Sequence, residues 1–135
     1  MRGRMVAGLA LVLASCGGSE SGGTVSVAED GLLRVVAYDR QDFDADLYEA
    51  SAGEIDIELV LDGFLTHTLV VEGLEAELRL EVGDEKLDSG TIALAPGRYI
   101  LYCDLAGHRS SGMVARLLVA RPLVSVDQAR ISKSR

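Results

Sequence analysis

The chain has no tryptophan, and its 135 residues include only two prolines, two cysteines, two histidines and three methionines. Each scarcity excludes something. Two cysteines cannot build the disulfide framework that staples many small exported domains. Two prolines exclude a proline-rich rod. Thirteen Lys and Arg against 21 Asp and Glu give a formal charge of −8. A chain this acidic does not bind nucleic acid by neutralising phosphates. The apolar run Met5–Ala14 is ten residues (14 − 5 + 1), short of the ~20 that a spanning helix needs. No serine-nucleophile or phosphate-loop motif is present, and no carboxylate pair is spaced for acid–base chemistry. The expectation is a protein that is not an enzyme, has no catalytic residues and takes no small-molecule substrate.

What is present begins with a basic start, Met1-Arg2-Gly3-Arg4, then the short apolar run and small residues. That is the layout of a secretory signal. Leu13-Ala14-Ser15-Cys16 resembles the lipobox of bacterial lipoproteins. The resemblance implies a signal peptide over 1–15, a multiply acylated Cys16 as first mature residue, and export to the cell envelope, on the periplasmic or outer side of a bacterial membrane. The mature chain then has 120 residues (135 − 15) and loses Arg2 and Arg4, moving the formal charge from −8 to −10. It offers no basic face to anionic lipid, so the membrane contact is expected from the acyl chains. Residues 16–30 read as the lipidated N-terminus and a flexible Gly/Ser linker, centred on Gly17-Gly18-Ser19-Glu20-Ser21-Gly22-Gly23. Residues 31–120 read as one domain and 121–135 as a C-terminal tail.

Within the domain the dominant period is two. Ile55, Ile57, Leu59 and Leu61 alternate with Glu54, Asp56, Glu58, Val60 and Asp62, the pattern of a half-buried strand. Leu78, Leu80 and Val82 alternate with acidic and basic residues in the same way. Leu32–Tyr38, Thr68–Val71, Thr91–Leu94, Arg98–Cys103 and Val114–Ala120 are further runs rich in strand formers. Turn signals separate them, among them Asp62-Gly63, Glu72-Gly73 and Pro96-Gly97. Seven or eight short strands at this spacing predict an all-β, antiparallel sandwich or barrel. Gln41–Ser51, with Asp42, Asp44, Asp46 and Glu49, is compatible with a helical turn or with an irregular acidic loop.

The soft-metal side chains fall into one arrangement. Met1 and Met5 leave with the signal, so Met113 is the mature chain's lone methionine, and Cys103 is its lone thiol free of lipid. The two histidines are His67, at the start of a strand, and His108. Cys103, His108 and Met113 are separated by four residues in each gap, on the loop before the last strand. Taken singly, each has a duller reading: a loop histidine, a packed methionine, an inert buried thiol. Together a thiolate, two imidazoles and a weak thioether make the donor set of an electron-transfer copper.

The stretch from Pro96-Gly97 through Tyr102-Cys103 to Gly107-His108 and Gly112-Met113 resembles the copper-binding segment of the cupredoxins, the blue copper proteins. Its gaps are most similar to the sulfocyanin and nitrite-reductase type. Ala52 to Leu59, followed by Asp62-Gly63-Phe64-Leu65-Thr66-His67, is similar to the family's strand, turn and first histidine. The resemblance implies a Greek-key fold and one type 1 copper held by His67, Cys103, His108 and Met113. It also implies an electron-exit surface at the His108 edge, ringed by Phe64, Leu65, Ala106 and Gly107. Two departures stand out. Thr68 replaces the family's usual asparagine, which predicts a looser tie between the ligand loops, and Ala106 replaces a proline, which predicts a less constrained loop. A copper enzyme would need further histidines, and both are used. The expected function is therefore a one-electron carrier serving redox partner proteins. Asp42, Asp44, Asp46, Glu49, Glu72, Glu75 and Glu77 read most simply as a solvated face, and functionally as steering toward a basic partner. The alternative is a lipoprotein that stores or delivers copper.

Overall fold

A computed structural model describes residues 23–122. The signal peptide, Cys16 and the tail beyond 122 lie outside the described residues. Among those described, ten strands and no helix form: β1 (Val25–Val27), β2 (Leu32–Tyr38), β3 (Asp42–Phe43), β4 (Leu47–Ser51), β5 (Gly53–Asp62), β6 (His67–Val71), β7 (Arg79–Val82), β8 (Leu87–Leu94), β9 (Gly97–Tyr102) and β10 (Val114–Ala120). They build a six-stranded sheet in the order β1-β4-β10-β9-β6-β7 and a four-stranded sheet in the order β3-β2-β5-β8. The all-β sandwich expected from the period-two pattern is present.

Three departures have physical reasons. The stretch 41–51 holds neither a helical turn nor a loose acidic loop but β3 and β4. Its aspartates act as local hydrogen-bond acceptors rather than as a merely solvated face. Asp44 accepts the Val36 amide at 2.8 Å and the Tyr48 hydroxyl, and Asp46 accepts the Thr24 amide at 3.2 Å. Second, β1 forms inside the stretch read as linker, because Val25–Val27 pairs with Leu47–Glu49 at the sheet edge. Third, the sheets are mixed. β1 with β4, β4 with β10, and β2 with β5 run parallel. The chain crosses between sheets from β4 to β5 at Ala52, and such crossovers bring non-consecutive strands side by side in the same direction.

The core is the alternation made real. Leu33, Val35 and Ala37 of β2 and Ile55, Ile57 and Leu59 of β5 are fully buried, while their neighbours face outward. Leu101, Ala115, Leu117 and Val119 close the layer from the six-stranded sheet. Burying each large aliphatic side chain stabilises the fold by about 1.5–3 kcal/mol. β6 differs, with all five residues buried. It lies between β9 and β7, and its first residue is His67.

Candidate metal centre

Two loops at one end of the sandwich build the site. The first joins β5 to β6 over Gly63–Thr66 and delivers His67. A single carboxylate pins it: Asp39, just past β2, accepts the Phe64 amide at 2.8 Å and the Leu65 amide at 2.8 Å. These amides hold the Asp39 carboxyl below the usual carboxylate range, that of Leu65 contributing most. A side chain on residue 63 would have its Cβ 2.1 Å from Asp39 Oδ1, so glycine is required for this approach. Lys86 Nζ donates to the Gly63 and Gly83 carbonyls at 3.0 Å each, tying the loop to β8's approach.

The second loop joins β9 to β10 and carries Cys103, His108 and Met113. Tyr102 stands opposite Val114 in the ladder, and the Cys103 amide donates to the Met113 carbonyl at 3.1 Å, closing the loop's base. Within it, the His108 amide donates to the Leu105 carbonyl at 3.1 Å and the Met113 amide to the His108 carbonyl at 3.0 Å. Gly107 and Gly112 take positive φ, 83° and 110°, which lets the chain turn tightly here. Arg109 donates to Glu72 at 2.6 Å and stacks over the Tyr102 ring at 4.3 Å. The loosening expected from Ala106 is therefore offset by bonds the loop makes with itself and with β9.

The donor atoms converge. His67 Nδ1 lies 3.3 Å from His108 Nδ1, and Cys103 Sγ lies 3.4 Å from His108 Nδ1. One ligand atom from each of His67, Cys103 and His108 lies within 4.8 Å of the other two. His67, Cys103 and Met113 are fully buried, and His108 is half-buried. Met113 enters through its backbone bonds to Cys103 and His108. Burial, then the neighbouring His108, pushes the His67 pKa down, so the ring is neutral at pH 7. His67 Nε2 is the buried side-chain nitrogen without a partner among the described residues, so the ring's one polar contact is through Nδ1 to His108. Two imidazoles and a thiol turned toward one another, with no acid among them, fit one soft cation, and copper in particular.

Thr68, expected beside the ligands, and two residues the sequence did not single out, Asp104 and Arg79, complete the surroundings. The Thr68 amide donates to Cys103 Sγ at 3.4 Å. The Thr68 hydroxyl donates to Asp104 Oδ1 at 2.7 Å and receives the Asp104 amide at 2.9 Å. Arg79 grips the same carboxylate, Nε to Oδ2 at 2.8 Å and Nη2 to Oδ1 at 3.1 Å. The looser tie expected from Thr68 does not occur, because Asp104 replaces the missing amide side chain. Its place directly after Cys103 was the available signal. Asp39 and Arg79 left none, since both reach the site from distant strands. Phe64 is 88 % exposed and Leu65 49 % exposed, and Ala106 and Gly107 are exposed beside His108.

Neither protein-family models nor curated protein sequences match this chain. Solved structures do. Dithionite-reduced auracyanin from Roseiflexus castenholzii aligns with a TM-score of 0.60 at 16 % identity, over 69 % of this chain and 98 % of that one. Auracyanin A of Chloroflexus aurantiacus, a blue copper protein, aligns at 0.56 and 16 % identity, over 66 % and 98 %. Reduced rusticyanin aligns at 0.53 and 16 % identity, over 71 % and 84 %. The fold is that of the small copper-binding β-sandwiches. In particular, it is the cupredoxin fold.

Proposed function

We propose that this chain is a type 1 copper protein that carries single electrons, exported and held at a membrane through acyl chains on Cys16. The observation that carries the reading is the convergence of Cys103, His67 and His108 within 4.8 Å of one another, beside a buried Met113. Copper bound there supplies a Cu(II)/Cu(I) couple. The rest is done by the chain. Neutral His67 keeps a lone pair available, and Cys103 binds as thiolate with the Thr68 amide pointed at its sulfur. Met113 is the fourth, weaker ligand. The packed floor of Leu69, Leu101 and Leu117 excludes water from below. His108 brings an imidazole to the surface, and the exposed Phe64, Leu65, Ala106 and Gly107 make that surface dockable without desolvating charge. The partners are redox proteins with a basic face. The reading involves no substrate and no nucleic acid.

The loop's internal bonds, which hold Cys103, His108 and Met113 in one arrangement, favour a carrier over a donor. Copper-loaded protein is expected to show an intense visible thiolate-to-copper band. Cys103→Ser should abolish it while the far-ultraviolet circular dichroism is unchanged. A weakly coloured copper signal from the unaltered protein would overturn the assignment.

A further inference from the structure

The Thr68 hydroxyl has one hydrogen and two acceptors within reach. Asp104 Oδ1 lies at 2.7 Å and Cys103 Sγ at 3.4 Å. A hydroxyl can donate only once. The carboxylate is the stronger acceptor, since an ionised oxygen forms shorter and stronger bonds than a neutral or diffuse one. Arg79 secures this choice with a two-pronged grip on Asp104, while its remaining arm is anchored to Glu81 at 2.8 Å. Thr68 itself is fully buried, so water cannot supply a substitute acceptor. The sulfur is then left with the Thr68 amide as its backbone donor.

We infer that Asp104, fixed by Arg79, is a positioning residue that draws the Thr68 hydroxyl hydrogen away from the Cys103 sulfur and so keeps the reduction potential of bound copper low. The inference rests on the copper reading above. Its physical basis is that each hydrogen bond to a thiolate withdraws electron density from it and favours the reduced metal. Asp104 acts through Thr68 and holds no metal.

Removing the Asp104 charge would itself raise the potential, so a single variant does not decide the matter. A double-mutant cycle does. Thr68→Val alone should leave the potential and the charge-transfer band close to those of the unaltered protein, because the hydroxyl does not serve the sulfur. Asp104→Ala, which removes the acceptor at this exposed position, should raise the potential and shift the band, as the freed hydroxyl turns to Sγ. Adding Thr68→Val to Asp104→Ala should reverse part of both changes. Equal effects of Thr68→Val in the two backgrounds, whether zero or not, would overturn the inference. If Asp104→Ala fails to fold, Asp104→Val removes the same acceptor and carries the same expectations. A metal-free arm is independent of copper. In the full chain carrying Cys16→Ala, the infrared S–H band of Cys103 should be unmoved by Thr68→Val and shifted by Asp104→Ala, and the opposite pattern would place the hydroxyl on the sulfur. A missing thiolate-to-copper band in the unaltered protein would overturn the copper reading and the effect on potential together. The infrared arm would still decide where the hydrogen sits.

Discussion

Met113 is the residue whose replacement is most instructive. Met113→Gln exchanges a soft thioether for an oxygen that favours Cu(II), so the reduction potential of the copper-loaded protein should fall. Electrochemistry on the two proteins checks this, and an unchanged or raised potential would remove Met113 from the ligand set. The four donor residues were legible in the sequence because, beyond the expected signal and lipidated Cys16, they account for both histidines, the thiol and the methionine of the chain. Spacing alone then placed three of them on one loop. Asp39 and Arg79 were illegible for the opposite reason. Aspartate and arginine are common in this chain, and each reaches the site only through a fold that brings residues 39 and 64, or 79 and 104, side by side.

The β5–β6 loop depends on that one aspartate. Because its carboxyl is held below the usual carboxylate range, the Asp39 contribution is present above its unfolded value of about 3.9. It is lost as the pH falls through its lower folded value. The Phe64 and Leu65 amide signals in nuclear magnetic resonance should therefore titrate together below about pH 3.9, and Asp39→Asn should abolish that titration. Gly63→Ala should displace Asp39 and lower the urea midpoint without any change in charge. In the neighbouring layer, Leu101→Ala on β9 should cost about 2–5 kcal/mol of stability by urea unfolding, since Leu101 is fully buried two residues before Cys103. At this scale the sequence was readable where strands were long and one-sided, as in β2 and β5. It was unreadable at β1, β3 and β4. Three or two residues cannot display alternation, and β4 is recruited by parallel pairing with β10 rather than by its own pattern.

As a whole the molecule is an acidic body, with a formal charge of −8 for the full chain, and its carboxylates divide into two kinds. Asp44, Asp46, Glu72 and Glu75 have partners within the fold. Of the carboxylates expected to steer, only Glu72, paired with Arg109, and Asp42, paired with Arg40, have their charge balanced by a neighbouring cation among the described residues, so the proposed steering draws on the others. Electron exchange with a cationic redox partner should slow as salt rises past about 0.1 M, where screening reaches within 10 Å. A rate indifferent to salt would remove electrostatic steering. The proposed membrane attachment rests on Cys16, and fatty-acid labelling that disappears in Cys16→Ala is the expected result. Equal labelling of both would exclude acylation there.

His67 stands at the start of a strand that pairs on one side with β7, the next strand in the chain. That strand reaches the one leading to Cys103 only by a distant contact, where Val70 and Val71 face Tyr102 and Leu101 of β9. No local segment holds all four donors. The order of events in refolding follows from this. The hairpin of β9 and β10 can zip early because its partners are close in sequence, but it holds an incomplete set until β6 docks. Colour in a refolding mixture containing copper therefore reports the arrival of a long-range contact, and should trail the far-ultraviolet signal of strand formation rather than accompany it.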